Sequence, residues 1–206
     1  MDGHLATGGA AAFALAAAMW LGMVVVMMTP TVTPWVRAYA TLVAPPSGLR
    51  SRTAAATFVA GYAAVWLAYS LGMAALQVAL TTAGTLLDGR LTTRAGGVVL
   101  IAAGAYQFVP LKAACLTHCR NPLTYFLARW NNGPVSGFRL GLAHGAYCLG
   151  CCWAVMLTAL ALGVMNLAWM LALTALVAVE QMAPGGIVVG RVFGALVGAW
   201  GLWQLV

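Results

Sequence analysis

Charge is almost missing from this chain of 206 residues: charged side chains make up 6% of it, and only three of them are acids. Soluble domains carry about 25% charged residues, so a soluble globular domain is excluded. The shortage of acids removes the oxygen ligands that Mg²⁺ and Ca²⁺ need. It also leaves no paired carboxylates for acid–base catalysis. With no nucleophile–base set and no phosphate loop in view, the chain is not expected to be an enzyme. Residues Met1-Asp2-Gly3-His4 contain no Lys or Arg, so no secretory n-region is visible and the first apolar run is expected to be a retained span. The basic residues are spread over short connections, without the clustered patch and aromatics that nucleic-acid binding requires.

What remains is hydrophobic, 63% of all residues. The pattern predicts an all-α, polytopic transmembrane helix bundle of about six spans, with residues 1–206 as a single domain in a lipid bilayer. The spans are drawn at 10–28, closed by Thr29-Pro30 and Pro34, then at 53–80 and 94–115. A fourth starts near Phe138, a fifth ends near Met182, and the sixth covers 187–206 after Pro184-Gly185-Gly186. As one helix, 138–182 would be about 68 Å long, twice the core of a bilayer. It must therefore fold back, and the local helix breakers lie between Gly163 and Asn166. Eight of the ten Lys and Arg fall on one side of this scheme and two, Arg90 and Arg94, on the other. The heavier side is expected to be cytoplasmic, which puts both termini outside. Small residues repeat every four positions at Gly137, Gly141 and Gly145 and at Gly190, Gly194 and Gly198, a spacing that suits close helix packing within the chain.

Chemistry concentrates in the fourth span. His144, Cys148 and Cys151 form a narrow helical stripe, with Cys152 at its edge. One helix cannot close a metal site with all of them, because positions i and i+7 are about 10 Å apart along the axis. Either a second helix completes a site or the stripe holds more than one ion; the alternative is that the cysteines are small buried hydrophobes. The C-x-x-C-H haem motif is absent, since Cys152 follows Cys148-Leu149-Gly150-Cys151.

Cys115 and Cys119 lie four apart at the end of the third span, near Lys112 and Arg120, whose charge favours thiolate. They read as metal ligands or as an inert pair; a disulfide does not suit a cytoplasmic face. His118 is expected to turn away from them. Met19, Met23 and Met27 recur at four-residue steps with Met28 adjacent, either as core filler or as thioether ligands. Glu180 is the one acid inside a span, fit for a role beside the site or for pairing with Arg139 or Arg120. In the proposed orientation Met27, Met28, Cys115, His144 and Glu180 all fall in the cytoplasmic half. Cys, Met and His together favour Cu(I), with Zn²⁺ as the alternative.

Several motifs carry a family resemblance. They are Tyr106-Gln107-Phe108, Pro110-Leu111-Lys112, Cys115, Cys119-Arg120, His144-Gly145, Tyr147-Cys148, Gly150-Cys151-Cys152-Trp153 and Glu180, with Met27-Met28-Thr29-Pro30 earlier. On these the chain resembles a bacterial family of predicted metal-binding integral membrane proteins that has been linked to copper handling. The resemblance implies an inner-membrane protein that binds metal. Gln181 departs from it, standing where the family often has a basic residue. The expected function is a copper-binding accessory protein that delivers the ion or helps assemble a copper enzyme. A metal transporter, with Met165 and Asn166 near the outer face, and a structural subunit of a larger membrane complex are the alternatives. The expected ligands are Cys148, Cys151 and Cys152, then His144, Cys115 and Cys119, with Met27 and Met28 as ligands on the way in or out.

Overall fold

The computed structural model describes residues 2–43, 49–87, 90–129, 135–163 and 166–206. Eight helices follow in order: α1 (Asp2–Val43), α2 (Leu49–Thr82), α3 (Thr93–Tyr106), α4 (Pro110–Arg120), α5 (Pro122–Arg129), α6 (Ser136–Leu162), α7 (Leu167–Met182) and α8 (Gly186–Leu205). Between α2 and α3, Leu86–Leu87 pairs antiparallel with Arg90–Leu91.

The six segments drawn from sequence correspond to α1, α2, the α3–α4 pair, α6, α7 and α8. Four of them, α1, α2, α6 and α8, are long and apolar enough to cross a membrane. The α3–α4 pair makes a fifth if its 63° bend lies within one span. Pro110 explains the break, because it has no N–H for the helical ladder and pushes Val109 into extended backbone. At 16 residues, α7 is only about 24 Å long, short of the roughly 30 Å bilayer core.

The first span does not close at the prolines. α1 continues through Pro30 and Pro34 to Val43. Nearby, Thr29 Oγ1 donates to Val25 O at 2.5 Å and Thr33 Oγ1 to Thr29 O at 2.6 Å. Threonine back-bonds of this kind bend helices rather than replace the hydrogen bonds that proline removes. The fold-back between α6 and α7 falls where the breakers stand. α6 ends at Leu162, Gly163 takes φ +102°, and the Asn166 side chain caps α7 by accepting from Trp169 N at 3.3 Å.

Packing is set by glycines inside the chain. A Cβ on Gly141 of α6 would collide with the Phe58 carbonyl of α2, and one on Gly104 of α3 would lie 2.9 Å from Gly198 N of α8. Only hydrogen side chains let these backbones come so near. The result is a core in which Trp20, Met27, Met28, Trp66, Cys148, Cys151, Cys152 and Met156 are all buried together.

Candidate metal centre

Three thiols meet at the centre of this core. The sulfurs of Cys119 from α4 and of Cys148 and Cys151 from α6 all lie within 4.8 Å of one another, and all three residues are buried. Cys148 and Cys151 share a face because they are three positions apart on one helix. Cys119 arrives from the far side, its Sγ 3.9 Å from that of Cys151. The bend before α4 is what turns this segment towards α6. The expected contact between the segments carrying Cys115 and Cys119 and the one carrying Cys148 is therefore present.

A fourth sulfur stands beside this group. Met28 Sδ of α1 lies 3.9 Å from Cys148 Sγ, and both residues are almost fully buried. Thr31 holds this methionine in place, its hydroxyl 3.0 Å from Met28 O and 4.0 Å from Met28 Sδ. Two polar side chains face the sulfurs. Gln181 Nε2 of α7 is 3.7 Å from Cys148 Sγ and 3.6 Å from Cys151 Sγ, and the Tyr62 hydroxyl of α2 is 3.4 Å from Cys148 Sγ. Five helices thus contribute to one small volume.

Several candidate residues fall outside the three-thiol group, though Cys115 and Cys152 adjoin it. His144 is not among the clustered donors. Its ring stacks on Trp35 at 3.8 Å between centroids, with Tyr62 at 5.5 Å and Phe58 at 5.9 Å. Helical direction pointed it along the cysteine stripe, but aromatic side chains from α1 and α2 fill the space around it. Cys115 sits one turn before Cys119, its Sγ against Gly150, where a Cβ would lie 2.9 Å away. Cys152 is fully buried, and its Sγ lies 2.9 Å from the Cys148 carbonyl. Met27 packs, also fully buried, into the same core. His118 is exposed and stacks on Tyr147 at 4.4 Å. Met165 lies outside the described residues.

Glu180 pairs neither with Arg139 nor with Arg120. Lys112 Nζ donates to its two carboxylate oxygens at 2.7 and 2.9 Å, and also to Gln107 Oε1. Both charged side chains are at most 4% exposed. Arg120 instead donates to Ala183 O at 2.6 Å. Gly190 of α8 makes room for the Glu180 carboxylate, since a Cβ there would overlap it. The ammonium that was expected to favour thiolate in α4 is thus committed to α7. This pair ties the C-terminal end of α7 to α4 and so fixes the neighbouring Gln181 against the thiols.

Outside the long apolar helices, α5 covers the aromatic end. Burial pushes the Tyr125 phenol up to about 12, so it remains protonated and donates to Leu140 O at 2.9 Å. Trp35 Nε1 donates to Cys119 O at 3.2 Å, which anchors the end of α4 directly to α1.

Sequence reasoning missed Gln181 and Tyr62 as neighbours of the sulfurs. A signal for Gln181 existed: it is a polar residue in an apolar span, next to the one buried acid. Tyr62 carried no signal, since one tyrosine in an apolar helix looks like any other.

The donors present suit a soft ion. Three sulfurs at about 2.3 Å from a common ion lie about 4 Å apart, close to the 3.9 Å seen between Cys119 and Cys151. Closed zinc sites take a fourth thiolate or an imidazole. With His144 held among aromatics, the set reads three thiols with a neutral thioether at their edge. The fold and this cluster define an all-helical protein built around a buried soft-donor site. The chain belongs to the PpoB2 family, described as copper chaperone, which matches residues 17–204. No curated protein and no solved structure matches the chain.

Proposed function

We propose that this protein is an integral membrane copper(I) carrier that holds the ion between Cys119, Cys148 and Cys151 and delivers it to a copper enzyme or its assembly machinery. The observation that carries this reading is the three-thiol cluster, buried and drawn from two helices, in a chain of a copper chaperone family. Large exposed apolar side chains support a bilayer setting, among them Leu15 at 73%, Val25 at 63% and Leu196 at 66%. Soluble monomers do not expose apolar surface on this scale. If all six apolar segments cross, the Lys and Arg count favours an inner-membrane orientation with both termini outside and the thiol cluster towards the cytoplasm.

The supporting residues fit a carrier's task. Cu⁺ bound by three thiolates would carry excess negative charge in an apolar medium. Hydrogen bonds from Gln181 Nε2, and from Tyr62 with its hydroxyl as donor, offset that charge at the sulfurs. Glu180 acts at one remove, holding Gln181 in place through Lys112. The transporter reading has less to stand on, because the Asn166 side chain is occupied in capping α7.

Purified protein in detergent tests the reading by elemental analysis. Wild type should retain about one copper per chain, and a Cys148→Ser/Cys151→Ser variant should lose it. Metal-poor wild type, or a variant with copper unchanged, would overturn the proposal. X-ray absorption should show sulfur-only coordination without imidazole; a zinc edge with nitrogen ligands would argue for the other metal.

A further inference from the structure

Met28 belongs to two places at once. Its thioether touches Cys148 Sγ at 3.9 Å, and the same side chain lines a groove of about 200 Å³ between α1 and α2. Tyr62 is shared in the same way, with its hydroxyl 3.4 Å from Cys148 and its ring in the groove wall. The outer rim carries Val25, Val59 and Leu67, which are 63%, 41% and 45% exposed. The groove therefore opens sideways onto the apolar surface of the molecule.

The three thiols themselves have almost no surface: Cys119, Cys148 and Cys151 are 3%, 1% and 2% exposed. An ion held by them is enclosed, and Met28 touches both Cys148 and the groove. The stretch of α1 around it is also the part of the helix least tied by its own ladder. Pro30 and Pro34 lack the N–H groups that would bond to the carbonyls of Val26 and Pro30. A helix weakened in this way can shift a side chain by small local bending.

We infer that Met28 is the exchange ligand through which Cu(I) moves between the three-thiol site and the groove between α1 and α2. This rests on the three-thiol reading above and adds the route to it. In the step, a Cu–S bond forms to Met28 Sδ as the bond to Cys148 Sγ breaks. Copper stays in the +1 state, the Cys148 thiolate keeps its electron pair, and the Tyr62 hydroxyl is in place to hydrogen-bond it. A thioether is suited to this role because it is neutral and binds Cu(I) while leaving the charge on the thiolates.

Copper-loaded protein in lipid nanodiscs tests the route with two Cu(I) chelators. Neocuproine partitions into the bilayer; bathocuproine disulfonate remains in water. Wild type should lose copper faster to neocuproine at matched chelating strength. Met28→Leu should keep its copper stoichiometry but release the ion to neocuproine about tenfold more slowly, the scale on which supporting residues act at metal sites. Ala63→Phe, which fills the groove from α2 and replaces no sulfur donor, should slow release in the same way while leaving the thiol coordination unchanged by X-ray absorption. Unchanged release in both variants would overturn the route, as would loss of bound copper in Met28→Leu, which would make Met28 a holding ligand. Wild type that takes up no copper would overturn the three-thiol reading itself.

Discussion

One helix, α6, carries two adjacent regions that differ in everything but direction. Around His144 the neighbours are Trp35, Phe58 and Tyr62, whose rings stack on the imidazole. One turn further, around Cys148 and Cys151, the neighbours are Cys119, Met28 and Gln181. The distance between the two regions along the axis is about 6 Å. α1 serves both, with Met28 at the sulfurs and Trp35 at the ring, seven residues apart and hence on one face. Helical periodicity tells where a side chain points; what it meets there is decided by other helices. The aromatic region anchors α6 to α1 and α2, and the sulfur region holds the chemistry.

The contrast is most exposed at the third thiol. Cys119→Ser should weaken Cu(I) binding by more than about a hundredfold, beyond the 10–100-fold that supporting residues contribute, whereas Cys115→Ser and Cys152→Ser should leave it nearly unchanged. Competition titration with a Cu(I) chelator measures all three, and equal losses would dissolve the distinction between clustered and peripheral cysteines. Lys112→Met comes next. It strands Glu180 without its partner, and breaking a buried pair costs about 3–5 kcal/mol. Thermal unfolding should register the loss, and Lys112→Met/Glu180→Met should recover much of it; a single variant as stable as wild type would show that α7 is held by other means. The smallest effect is expected at the aromatic region. His144→Phe keeps an aromatic ring but enlarges it in a tightly packed enclosure, so stability should fall by about 1–3 kcal/mol, with copper stoichiometry and X-ray absorption spectrum preserved. Loss of copper in that variant would move the imidazole back among the ligands.

Much of the architecture was legible because long apolar helices show themselves in length and composition. The fold-back between Leu162 and Leu167 follows from an apolar run too long for one span and from breakers in its middle. The end of α1 was not legible. Proline reads as a stop in a linear pattern, yet each costs one ladder bond and the helix runs on through Pro30 and Pro34. The partner of Glu180 was equally hidden. Lys112 lies 68 positions away, and only the bend before α4 brings its ammonium to the carboxylate.

The amino-acid sequence by itself determined that this is a helical, apolar protein with soft donors on one face of α6, because composition and a 3.6-residue period act locally. It also determined that one helix cannot surround an ion, because rise per residue is fixed. Tertiary structure alone decided which donors converge. It brought Cys119 and Met28 to Cys148 and Cys151, sent His144 into an aromatic enclosure, and set Gln181 against the sulfurs. Such choices depend on how near backbones can approach and how each helix is turned about its axis, quantities that no single segment contains.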